Sequence, residues 1–338
     1  MSSVKFLLKS VLPGFLALLL CACAPLHTAP AALSIQPCDA TLVEEVMQIP
    51  WQRVGHNIWL HPGKPDALST PLNRGRISNV VFVLDQTSTD THGWLVGSGP
   101  DAETGRALAC GVQRSLGVTV TDLISARAHP ESVLGAAGLP HVRHWALPQV
   151  QATMTERCER CLKRLEVAVN ANTPLVPRVS LPEHLINGLQ LGPFEVMPIE
   201  VQPQQFVTLL YHRASDTWIL PGLVWGQGIV PDLREADALQ MLHSLERLTL
   251  RQPQRIVPEQ GPVGDGALIT QNITYWKRLL ESLNARWLRG ESQPENASGL
   301  PLPEGIRANP EARLRDQLNA QRAWQQIENS GFDPARVQ

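Results

Sequence analysis

Two clusters of short apolar runs, each followed by amphipathic helices, restrict the fold of this chain more than any other feature. In the first half, Asn57–His61 alternates like a strand and Asn79–Leu84 is apolar throughout. Gly93–Ser98 and Val118–Ile124 are further strand-like runs, Ala102–Leu116 has helical spacing, and Val142–Ala146 leads into a helix over Gln149–Val169. A continuously apolar run suits a strand covered on both faces. The second half repeats the order, with strands at Phe194–Val201, Phe206–Tyr211, Thr217–Leu220 and Arg255–Val257, and helices at Ala236–Leu250 and Leu268–Arg289. Each sheet face and helix stripe must bury itself against another element. The order therefore predicts an α/β protein in which two sheets pack face to face with helices outside, an αββα sandwich. Pro and Gly dominate Gln293–Pro310, and Glu311–Asn329 returns to a charged helix, read as a C-terminal helical appendage on the domain.

The N-terminus reads as an export signal. Lys5 and Lys9 precede the apolar core Val11–Leu20, which is shorter than the roughly 20 residues a membrane span requires. Leu20-Cys21-Ala22-Cys23 follows and resembles a bacterial lipobox. Cys23, preceded by Ala22, fits the lipidated position, whereas Cys21, preceded by Leu20, fits poorly. Ala24 and Pro25 carry no acidic retention signal, which favours the outer membrane. The chain is thus expected to have a signal peptide over 1–22, a tether over 23–45, one domain over 46–290, and a Pro-rich linker with a helix over 291–338. The expected location is the periplasm, on a lipid anchor. With 338 residues and a formal net charge of -2, nothing in the chain calls for a nucleic-acid partner.

Export exposes the remaining cysteines, Cys38, Cys110, Cys158 and Cys161, to oxidising conditions, where three pairings are open. Cys158 and Cys161 stand three apart on a helix and so share a face, which makes them a candidate disulfide. A redox or metal role is weaker, because redox-active pairs of this spacing sit at a helix N-terminus rather than inside one.

The stretch from Thr119 to Gly135 carries the most chemical information. A buried strand ends in a turn with Arg127, His129, Pro130, Glu131 and Ser132, ahead of a helical segment containing Val133-Leu134-Gly135. This layout resembles the first metal loop of the metallo-β-lactamase-fold hydrolases, H-x-H-x-D-H followed by V-[LF]-G. Further stretches resemble the quinoprotein-relay-system zinc metallohydrolases of that superfamily. They are Asn73-Arg74-Gly75 with Ile77-Ser78-Asn79, Gly105-Arg106-Ala107-Leu108, Arg157-Cys158 with Cys161, Leu300–Arg307, and Arg255–Asp265 against V-V-P-G-H-G-P-V-G-D.

The resemblance implies a set of zinc ligands, and position by position they are missing. Arg127 stands for the first His, His129 keeps the second, Glu131 replaces the Asp and Ser132 the last His. The early D-T-G turn reads Gly97-Ser98-Gly99, the middle His is replaced within Val201–Gln205, the bridging Asp by Gly222, and the final His by Gln260. Zinc chemistry needs converging imidazole and carboxylate donors with one open position. His129 and Glu131 alone would leave coordination mostly to water. The leading expectation is a catalytically inactive member of the fold without a cofactor, acting as a binding or accessory protein. The resemblance places it near periplasmic quinoprotein dehydrogenases. The alternative is a metal-dependent hydrolase, with zinc as its cofactor, whose rearranged site lies around His129 and Glu131; His141 and His144, as H-V-R-H, offer a separate rebuilt site. A thiol-redox protein using Cys158 and Cys161 is the third reading. Arg127 is expected to neutralise Glu131 as a structural pin, or else to hold an anion in the old pocket. Trp218 and Trp225 are read as core, with a pocket wall as the other option.

Overall fold

The structure is a computed structural model that describes residues 50–234, 236–293 and 309–330. Cys23, the export signal and tether, and most of the Pro-rich linker lie outside them. Seven strands form the first sheet in chain order: β1 (Gln52–Gly55), β2 (Ile58–His61), β3 (Val80–Gln86), β4 (Thr91–Val96), β5 (Asp122–Ile124), β6 (Arg143–Ala146) and β7 (His184–Leu185). The second sheet runs β12 (Arg255–Pro258), β11 (Thr217–Leu220), β10 (Gln205–His212), β9 (Phe194–Gln202), β8 (Gln190–Leu191). The helices are α1 (Ala102–Leu116), α2 (Pro130–Val133), α3 (Pro148–Ala168), α4 (Ala238–Thr249), α5 (Gly266–Leu288) and α6 (Pro310–Ser330).

Period-two alternation along the strands makes the layers. In β3, Val81 and Val83 join a core that also takes Val196, Leu210, Ile219 and Val257 from the second sheet. Val80 and Phe82 turn the other way, onto Ala107, Leu108 and Val112 of α1. In the second sheet, Val207, Leu209, Trp218 and Leu220 face outward and are covered by α4, α5 and α6. The expected αββα order is therefore present, with α3 contributing Met154, Cys158 and Leu162 to the inner core. The terminal helix is part of the fold: Ala320, Ala323, Trp324 and Ile327 are buried in the outer core of the second sheet. Trp218 and Trp225 are both core residues.

The candidate disulfide is not formed. Cys158 and Cys161 both carry thiols, because neighbours three apart on a regular helix hold their Cβ atoms about 5–6 Å apart, farther than a disulfide accepts. Cys110 is disulfide-bonded, and neither of these two is its partner.

Candidate functional site

Strand ends at one edge of the sandwich bring the ligand positions expected from the resemblance together. β4 and β5 run parallel in one sheet, β11 and β12 in the other, so the turns after all four emerge on the same side. A backbone bond from Thr208 N to Ala126 O, 2.7 Å, ties the two sheets there. The His129 turn is built locally. Pro130 opens α2 at a position that needs no N–H, and the amides of Ser132 and Val133 donate to His129 O. Ser98 N donates to Ser132 O at 2.7 Å, so the Gly97-Ser98-Gly99 turn supports the loop without supplying a ligand. Gly135 must be glycine: a Cβ there would lie 1.9 Å from Ser98 O.

Two charge clusters fill this edge. In the first, the Nδ1 of His129 lies 2.6 Å from Glu131 Oε2, both side chains being almost fully buried. The other oxygen, Oε1, accepts from Ser69 Oγ at 2.6 Å and from Arg234 Nη1 at 3.5 Å. Arg234 Nε donates to Asp232 Oδ2 at 2.5 Å, and Arg322 of α6 lies 3.6 Å from Asp232 Oδ1. Burial opposes ionisation of Glu131, but His129, Arg234 and the Ser69 hydroxyl together hold its carboxyl far below the usual carboxylate range. Asp232 behaves alike: burial pushes it up, while Arg234, Arg315 and His129 hold it down to about 2.

In the second cluster, Glu259 Oε2 lies 3.5 Å from Arg127 Nη1 and accepts from Gly222 N at 2.9 Å, and Oε1 accepts from Ser78 Oγ at 2.6 Å. Gly222 has φ +69°, and a Cβ would fall 2.9 Å from Arg127 Nη1. The residue standing where a bridging Asp is expected thus provides a bare backbone surface for a guanidinium. Arg127 was expected to pair with Glu131. It pairs instead with Glu259, because Gly222 leaves it room on that side and Glu131 is already engaged by Ser69, His129 and Arg234. Gln260, at the former His position, accepts from Arg315 Nη2 of α6 at 3.1 Å. The same guanidinium donates to Val230 O at 2.9 Å and to Asp66 O.

These residues do not fit zinc. Among the described residues no three His, Cys, Asp or Glu converge. His129 and Glu131 supply two donors that face each other, and Arg234 already provides positive charge beside them. The idea of recruited histidines fails for a local reason. His144 Nε2 is 2.7 Å from Ser125 Oγ inside the first sheet, while His141 is exposed. Ser132 is half-buried, and its backbone carbonyl accepts the Ser98 amide just described. Sequence reading missed Ser69, Asp232, Arg234 and Arg315, which stand in no motif. It missed Glu259 too, although the family pattern carries a glycine at that place in the Arg255–Asp265 stretch.

No protein-family model matches the sequence, and no curated protein is similar to it. Solved structures do match. A metallo-β-lactamase from Hirschia baltica aligns over 67% of this chain and 96% of its own, at 11% identity and TM-score 0.52. The mono-zinc form of FIM-1 from Pseudomonas aeruginosa covers 68% and 96% at 14% identity and the same TM-score. DIM-1 metallo-β-lactamase, exposed to ceftazidime, covers 67% and 95% at 15% identity, again with TM-score 0.52. At these identities the likeness establishes the fold alone. The chain has the metallo-β-lactamase fold.

Proposed function

We propose that this protein is a non-hydrolytic member of the metallo-β-lactamase fold that acts by binding: an exported lipoprotein, anchored through Cys23 and serving as an accessory factor, in the setting of periplasmic quinoprotein dehydrogenases. One observation carries the non-hydrolytic part. The positions expected to hold metal instead carry two closed ion-pair clusters, Arg127–Glu259 and His129–Glu131–Arg234–Asp232. Guanidinium, hydroxyl and amide donors engage Glu259, Asp232 and Glu131 Oε1, and the His129 ring faces Glu131 Oε2; such pairing is what stabilises a buried charge. Export and anchoring rest on the signal and the Leu20–Cys23 lipobox; the dehydrogenase setting rests on the family-like stretches alone.

Metal content decides the central part. The full chain, extracted in detergent without chelator, is expected to contain no stoichiometric zinc, before or after zinc loading and desalting, and to melt at the same temperature in EDTA. Tightly held zinc at one equivalent would end the reading. Anchoring is tested separately: Cys23→Ser should abolish incorporation of labelled fatty acid in a bacterial host, and Cys21→Ser should not.

A further inference from the structure

Among the described residues there are three cysteines. Cys158 and Cys161 keep their thiols, whereas Cys110, half-buried on α1, is disulfide-bonded. Its partner therefore comes from Cys21, Cys23 and Cys38, all outside the described residues. Chemistry separates these three. Under the proposed function the sulfur of Cys23 carries the lipid and Cys21 leaves with the signal peptide, so Cys38 alone retains a thiol. The fold supplies an independent reason. Trp51, beside β1, packs into the outer core of the first sheet with Ala107, Leu108 and Val112 of α1. The chain thus enters the domain on the layer that carries Cys110. Only 13 positions separate Cys38 from Trp51. Such a stretch spans up to roughly 45 Å when extended, about twice the length of a 15-residue helix such as α1. Reach is no obstacle.

We infer that Cys38 and Cys110 form a disulfide that staples the tether to α1. The bond forms by thiol–disulfide exchange with an exported dithiol oxidant in its disulfide form. The two cysteine thiols lose two protons and two electrons as their S–S bond closes, and the oxidant takes both up and leaves as a dithiol. An oxidising compartment keeps such a bond closed. The free length of the anchor is then the 15 positions from Cys23 to Cys38, instead of the 27 from Cys23 to Pro50. Its greatest extension falls from roughly 95 Å to roughly 50 Å. The inference deepens the lipoprotein reading and rests on it, since that reading is what removes Cys21 and Cys23.

The test uses the full chain, made in a bacterial host fed labelled fatty acid, extracted in detergent and denatured. Thiols are counted by maleimide mass shift with and without prior reduction. The parent should show two without reductant, Cys158 and Cys161, and four after it. Cys38→Ser and Cys110→Ser should each show three without reductant, because each releases the other cysteine. A second measurement needs no variant: chymotryptic digestion of the unreduced parent should give peptides 34–42 and 109–116 joined by a link that reductant cleaves. Four thiols in the unreduced parent overturn the inference, as does a Cys38→Ser chain in which Cys110 stays protected. The label distinguishes this failure from that of the proposed function. A labelled chain with an open Cys38 thiol sinks the staple and leaves the anchor standing. An unlabelled chain in which Cys110 is joined to Cys23 sinks both.

Discussion

At the scale of single residues, the site is a set of exchanges that make sense in pairs. Arg127 where a His is expected and Glu259 where a Gly is expected are two departures from one family pattern, opposite in charge, and the fold sets them side by side. Arg127 was read from the sequence, but Glu259 and the partnership were not, since 132 positions separate them and spacing says nothing about which carboxylate a guanidinium will meet. Nearer neighbours misled, and Glu131 looked the natural partner. Removing one member should be costly and removing both much less so. Arg127→Leu leaves a buried carboxylate with hydrogen bonds but no cation and is expected to destabilise the chain by about 3 kcal/mol. Arg127→Leu with Glu259→Leu should recover most of that loss in urea titration. Additive losses would show that the two do not act together. Gly222→Asp is expected to destabilise, because the backbone there has positive φ and Arg127 occupies the space.

Among the elements, legibility followed length and periodicity. The α1 and β11 spans coincide with those read from spacing, and α3, α4 and α5 differ by a residue or two at each end. The strands β1, β7 and β8 went unread. They are two to four residues long, and β7 and β8 are too short to show any alternation, so only pairing with a neighbour makes them strands. The terminal helix was legible as a helix but not as a clamp. From α6, Asn319 accepts from Leu233 N and donates to Pro231 O, and Gln326 accepts from Ala238 N and donates to Ala236 O. From α5, Asn272 does the same for both backbone groups of Trp225. Three amide side chains thus take the place of a sheet neighbour along the loop from β11 to α4. Asn319→Ala would strand a buried N–H and C=O at once, and a loss of about 2–3 kcal/mol in urea denaturation is expected. For α3, the peptide holding Cys158 and Cys161 should be fully alkylated after denaturation without reductant; a doubly unmodified peptide would point to a disulfide between them.

For the molecule as a whole, two buried groups outside the ion pairs, His144 and Asp316, set opposing pH dependences. Burial, helped by the nearby His184, pulls His144 from 6.5 down to about 4, so the folded state resists charging it. Stability from that group is therefore lost as pH falls from 6.5 toward 4. Burial pushes Asp316 the other way, from 3.8 up to about 6, against a lowering bond from Tyr275. Its contribution is present at low pH and lost as pH rises through 6. The two effects are of similar size, about 3 kcal/mol each, and opposite in sign over one window, so they nearly cancel in the parent chain. Asp316→Asn should uncover a stability that falls between pH 6.5 and 4, and His144→Gln one that rises over that range. Equal slopes in parent and variants, measured by thermal melts across the window, would refute the compensation. Glu131 and Asp232, both held low, matter only below about pH 4, where protonation removes what they contribute.

The origin of the charge that faces Glu131 and Glu259 has a further consequence. A metal ion must be acquired after synthesis from a shared supply, and it can be lost to dilution, to a competing ligand or to the wrong ion. Arg127 and Arg234 are translated with the carboxylates they balance, so every copy of the chain carries its counter-charge from the start, at fixed ratio and with a fixed identity. Under the proposed binding role, the working state of such a protein would follow its own abundance and not the zinc supply of its surroundings.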